Sequence, residues 1–150
     1  MGADQELARR GQPSPSWRWE LGGPHPVAQA RALVCELLSA HEVDDHVNDV
    51  VLVTSELVTN AVLHGRPPFL LAATTGPDRT RVEVRDHSPV APAARAAEDD
   101  EEHGRGLLIV ADVTSRWGVA SIADGKVVWA EIDVLPAGVR PRTGDHRKAP

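Results

Sequence analysis

The chain has 150 residues, 41% hydrophobic and 25% charged, the proportions of one globular domain and not of a disordered chain. A formal net charge of -6 argues against a general nucleic-acid binder, and no run approaches the ~20 apolar residues that a bilayer span needs. The single cysteine, Cys35, excludes an internal disulfide, and the polar start MGADQELARR has no secretory h-region, so a cytoplasmic protein is expected.

Residues 1–14 and 136–150 carry Gly, Pro, Ser and charge without periodicity and read as disordered tails around one domain at 15–135. Residues 16–21 alternate apolar and polar, the pattern of a half-buried strand, and Gly22-Gly23-Pro24 stops them. Pro26 suits a helix start, and 27–41 repeats apolar residues at Ala30, Leu33, Val34, Leu37 and Leu38. Cys35 lies in this helix and is expected as a small core or near-core residue. A second helix is expected with Asp44 as N-cap and Asp45 in its first turn, running to about Leu63. His64 and Gly65 end it, and Pro67-Pro68 bars continuation.

Two strands follow at 69–75 and 79–86, joined by a Gly-Pro-Asp turn. Residues 87–103 are rich in Pro, Ala and acid, a loop long enough to be functional or disordered. A short helix at 106–112 precedes strands at 116–120 and 126–134, separated by a turn containing Asp124-Gly125. Strands adjacent in sequence with short turns predict an α+β two-layer sandwich: a mixed, largely antiparallel sheet with helices on one face.

Three features can carry chemistry. The second helix has Val47, Val50, Val51, Leu57, Val58, Ala61 and Val62 on a broad arc. Leu52, Val53 and Leu63 occupy much of the remainder, so it is expected to be covered on both sides. Glu56 and Asn60 interrupt this surface four residues apart, hence on one face. A carboxylate there needs a polar partner, which is either Asn60, water at the helix edge, or a ligand. Gly104-Arg105-Gly106-Leu107 can present backbone N–H groups to an anion at a helix start, or be a plain loop-to-helix turn. Asp86 ends an alternating strand, as a turn former or as an acceptor for a ligand's amino group.

In this order the features resemble one family. Glu56-Leu57-Val58-Thr59-Asn60-Ala61 is similar to the N-box of the ATPase superfamily that includes gyrase, histidine kinases and mismatch-repair ATPases. Asp86-His87-Ser88-Pro89 stands at its first glycine box, and Gly104-Arg105-Gly106-Leu107-Leu108-Ile109-Val110 at its second. Arg116-Trp117-Gly118-Val119 and Gly125-Lys126-Val127-Val128-Trp129-Ala130-Glu131 resemble the closing strands of the anti-sigma-factor kinase branch. The resemblance covers about residues 16–134 and implies a Bergerat-type ATP-binding fold.

It also implies roles. Glu56 would act as general base on a water or substrate hydroxyl, and the Asn60 carbonyl would coordinate Mg²⁺. Asp86 would bind the adenine amino group, with Ser88 beside it. Gly104, Arg105, Gly106 and Leu107 would meet the phosphates of ATP, and 87–103 would form the lid. Ser88 stands where the family usually has glycine. Val127 stands where this branch often has threonine, which would leave a polar contact near the adenine missing. The acidic run at 98–102 reads as a solvated outer face.

Two functions follow from the resemblance. One is a protein serine/threonine kinase that phosphorylates an anti-sigma-factor antagonist and sequesters a sigma factor. The other is a non-catalytic ATP-binding module that regulates a transcription factor through protein contacts. Glu56 favours the first; Ser88, Val127 and the acidic lid favour the second. Neither requires direct contact with nucleic acid or a membrane, and a homodimer stays open.

Overall fold

Strand alternation and helical periodicity both carry through into three dimensions. The computed structural model describes residues 17–89 and 105–133. In chain order these form β1 (Trp17–Leu21), α1 (Pro26–Ala40), α2 (Val47–His64), β2 (Phe69–Thr75), β3 (Arg79–Asp86), α3 (Arg105–Val113), β4 (Arg116–Ile122) and β5 (Gly125–Asp133). The strands make one sheet in the order β1-β2-β3-β5-β4, antiparallel at each of its four pairings. Residues 1–16, 90–104 and 134–150 lie outside the described residues, and with them the expected tails and all but the first three residues of the expected lid at 87–103. No helix among the described residues is long and apolar enough to cross a membrane.

Alternation sends Leu71 and Ala73, Val82 and Val84, and Val128, Ala130 and Ile132 to one face of the sheet. Ala30, Val34, Leu37 and Leu38 of α1 pack there, with Val50, Val53, Leu57, Val58 and Ala61 of α2 and Val110 of α3. The result is the expected α+β arrangement with helices on one face, its sheet wholly antiparallel where a mixed, largely antiparallel one was expected.

Three local expectations are corrected. Helix α2 starts at Val47, and its N-cap is His46 and not Asp44. His46 is buried and its Nε2 lies 3.1 Å from Thr80 Oγ1 on β3, so a contact to the sheet sets the helix start where local capping would set it earlier. Cys35 is exposed, because the core-facing stripe through Ala30, Val34, Leu37 and Leu38 turns position 35 outward. Helix α2 packs against α1, α3 and the sheet but is not covered all round, because Leu52, Val62 and Leu63 are exposed on its outer face.

The other face of the sheet holds a charged cluster. The carboxylate of Glu131 accepts hydrogen bonds from Arg81 Nη1 at 2.9 Å, Arg116 Nε at 2.8 Å and Arg79 Nη1 at 3.4 Å. Arg81 also pairs with Glu83 and stacks 4.2 Å from the Trp129 ring centroid. Burial favours the neutral acid of Glu131, but the hydrogen bonds and charges of Arg116 and Arg81 outweigh it and hold the carboxyl below its ordinary value. A depressed folded value means the contribution is complete above the ordinary glutamate value, about 4.3, and is lost as pH falls through the folded one. Glu131→Gln is expected to cost about 1–3 kcal/mol at neutral pH, less than a sealed pair because Arg79 and Arg116 are 45% and 48% exposed. It should also flatten the acid limb of stability. Urea unfolding across the carboxylate range checks both; a slope equal to wild type would refute the assignment.

Candidate functional site

Helix α2 organises the site along its length. Glu56 and Asn60 are half-buried, one turn apart on the margin of the arc that buries Val53 and Leu57. Thr54 and Ser55, just before Glu56, satisfy themselves within the helix by donating to Val50 O and Val51 O, each at 2.7 Å. Glu56 makes no hydrogen bond or ion pair with another described residue.

Its carboxylate lies against the first turn of α3. A Cβ added to Gly106 would stand 2.6 Å from Glu56 Oε2, so the absent side chain at Gly106 is what lets the carboxylate sit there. The clash is with the free end of a flexible side chain. Gly106→Ala is therefore expected to leave stability within about 1 kcal/mol of wild type but to push the carboxylate aside. Were Glu56 the general base that the resemblance implies, turnover would then fall at least about tenfold, since small misplacements of such a group are costly. Thermal unfolding beside a turnover assay tests the split; unchanged turnover would mean this position of Glu56 is incidental.

The other end of α2 reaches Asp86. Gly65 caps the helix, donating its N–H to Ala61 O at 2.8 Å. A Cβ on Gly65 would come within 2.6 Å of Asp86 Cγ. Asp86 is fully buried at the end of β3. Its Oδ1 accepts the Ser88 backbone N–H at 2.7 Å, and its Oδ2 has no hydrogen-bond partner. Flanking ties hold this strand end. His87 N donates to Arg66 O at 2.9 Å, and Arg85 Nη2 donates to both Asp124 carboxylate oxygens at 2.8 and 3.0 Å. Gly65 follows Glu56 by nine residues, about 13 Å of helix rise. One helix thus spaces a glycine-cradled carboxylate from a buried acceptor.

The remaining sequence candidates divide. Ser88 is buried beside Asp86, Arg105 opens α3, and Leu107 is half-buried in its first turn. Gly104 lies outside the described residues, as do His103 and the acidic run 98–102. Val127 has the same parity as Trp129 and Glu131, on the face away from Asp86. The polar group near Asp86 is instead its neighbour Lys126, whose Cα is the partner of Asp86 across β3 and β5. The sequence did carry a signal for it: Lys126 shares parity with the core-facing Val128, Ala130 and Ile132.

The donor set fits a nucleotide and its metal. Asp86 Oδ2 takes no hydrogen bond although Lys126 Nζ lies 3.1 Å away, and the missing side chain at Gly106 lets the Glu56 carboxylate reach a helix start. Among the described residues no three His, Cys, Asp or Glu side chains converge. A cation beside Asn60 would thus take its other oxygens from phosphates and water, as magnesium does. Two cavities, of about 170 and 470 Å³, lie at the opposite end of the sheet around Thr75, Gly76 and Pro77 and touch neither Glu56 nor Asp86.

A family model described as histidine kinase-like ATPase domain matches residues 23–132, well over half of the chain. Among solved structures, the chain is similar to a histidine kinase domain from the Erythrobacter litoralis EL346 blue-light activated histidine kinase. The two are 16% identical with a TM-score of 0.47, over 85% of this chain and 68% of that one. No curated protein matches it.

Proposed function

The chain belongs to the histidine kinase-like ATPase domain family, and we propose that it is an ATP-dependent protein serine/threonine kinase of the anti-sigma-factor type. Membership implies ATP binding; the acceptor hydroxyl, the metal and the partners are part of the proposal. The observation that carries it is the placement of Glu56, unpaired among the described residues, against Gly106 at the start of α3, with Asp86 at the other end of α2.

On this reading each residue has a task. Asp86 accepts from the adenine amino group, with Ser88 N–H holding its carboxylate in position. Gly104, Arg105, Gly106 and Leu107 meet the phosphates at the start of α3. Asn60 offers its amide oxygen to Mg²⁺. Glu56 takes the proton of the attacking hydroxyl. Bound Mg·ATP supplies the phosphoryl group and screens its charge. The hydroxyl belongs to an anti-sigma-factor antagonist, and the same chain sequesters a sigma factor in the cytoplasm.

Incubation with labelled ATP, Mg²⁺ and candidate antagonist proteins tests the reading. Transfer to an antagonist serine or threonine is expected. Tight ATP binding with no transfer to any candidate would instead favour the non-catalytic module. For Asn60→Ala, calorimetry should show the Mg²⁺-dependent part of ATP affinity falling about tenfold or more, with metal-free binding nearly unchanged. Equal Mg²⁺ dependence in variant and wild type would remove Asn60 from the metal.

A further inference from the structure

The end of the sheet away from Glu56 and Asp86 carries unbalanced charge. A cavity of about 470 Å³ opens there between the α1–α2 loop and the β2–β3 turn, within the size range of ligand pockets. Glu42, Asp44 and Asp45 line it from the loop, and all three are exposed. None of their carboxylates makes a hydrogen bond or ion pair with another described residue. Three like charges on one rim repel, so the rim favours a cation. A second observation points the same way. His46 lines the same cavity and is only 8% exposed. Its Nε2 meets Thr80 Oγ1 at 3.1 Å, and Thr80 Oγ1 meets Thr75 Oγ1 at 2.9 Å. Its Nδ1 is buried without a hydrogen-bond partner. With Nε2–H assigned as the donor to Thr80, Nδ1 is an acceptor in need of an N–H. A cation with several N–H donors, as a guanidinium is, would meet both the ring nitrogen and the carboxylates.

The chain itself supplies such cations at this end. Thr80 is the cross-strand partner of Ile132, and Arg79 of Asp133, with neighbouring strands about 4.8 Å apart. The chain therefore continues from Asp133 beside the turn that lines the cavity. Residues 134–150 carry Arg140, Arg142, Arg147 and Lys148 against one acid, Asp145, in a chain whose formal net charge is -6. Arg140 follows Asp133 by seven residues, a reach of up to about 23 Å. We propose that the cavity is a docking site for the basic segment 140–148 of the same chain. An arginine guanidinium of that segment donates to His46 Nδ1 and to the carboxylates of Glu42, Asp44 and Asp45. A modest attraction suffices, because tethering gives the segment an effective concentration on the order of millimolar. The proposal stands apart from the nucleotide reading, whose residues lie at the opposite end of the sheet.

Paramagnetic broadening in the full chain tests the contact. A nitroxide is attached at Gly144→Cys, with Cys35→Ser removing the native thiol. Amide signals of Glu42, Asp45 and Gly76 are expected to weaken at least about twofold, while those of Gly65 and Asp86 stay unchanged. Because the tether alone brings the label to this end, charge decides. Arg140→Gln, Arg142→Gln, Arg147→Gln and Lys148→Gln together should restore at least about half of the lost intensity, as should about 0.5 M salt. Glu42→Gly with Asp44→Asn and Asp45→Asn should do the same from the cavity side. Glycine suits position 42, which sits at φ 54° in the left-handed region. No broadening, or broadening that survives either set of substitutions, overturns the proposal. So does broadening in a mixture of isotope-labelled chains without nitroxide and nitroxide-bearing chains without isotope, which would put a second copy in the cavity. The four glutamine substitutions alter no residue of β1–β5 or α1–α3, so they decide the matter even where the cavity variant fails to fold.

Discussion

Glu56→Ala is expected to lower phosphoryl transfer by about 10²–10⁴-fold, the usual contribution of a positioned general base. ATP affinity should change by less than about threefold. The split follows from where Glu56 sits. Its side chain is half-buried and makes no hydrogen bond or ion pair with another described residue, so removing it strands no partner. The packing of α2 runs through Val53, Leu57 and Val58, which the substitution leaves alone. The proposed adenine contact is with Asp86, at the far end of the helix. A loss confined to turnover is the signature of an interaction made mainly in the transition state. Single-turnover transfer beside equilibrium binding separates the two effects. Glu56→Gln, which keeps size and polarity but not basicity, should behave like the alanine variant. Undiminished transfer in either would end the general-base assignment.

Gly125→Ala should have the largest effect on stability, about 3–4 kcal/mol. Gly125 opens β5 at φ 151°, a backbone conformation that an L side chain rarely adopts. An added Cβ would overlap the Asp86 carbonyl oxygen and stand 2.8 Å from His87 Cα. The obstacle is main chain on the neighbouring strand, which cannot swing aside as the Glu56 side chain can beside Gly106. Relief requires parting β3 from β5 at the point where Asp86 and Lys126 face each other. ATP binding is therefore expected to fall with stability. Gly22→Ala is the matched control: nothing lies within 4 Å of its Cβ position, and the change should stay within about 0.5 kcal/mol. Urea unfolding of the two variants checks the contrast, and a Gly125→Ala midpoint equal to that of Gly22→Ala would show that the strands part at little cost.

Much of this molecule was legible in one dimension. Strands β2 and β3 have the bounds that alternation and the Gly-Pro-Asp turn indicate. The placement of Glu56 and Asn60 on one face of α2 follows from the helical repeat alone. These are local properties, because backbone geometry fixes which residues share a face within a few positions. What only the tertiary structure decided are contacts between distant segments. Helix α2 starts at Val47 because His46 meets Thr80, 34 residues away. Strand β5 inserts between β3 and β4, so Asp86 faces Lys126, 40 residues on, while Val127 turns to the opposite side. Periodicity marks the face a residue presents, but the neighbour it meets there depends on strand order and register. Those are set by the burial of a whole core, which no short stretch of sequence contains.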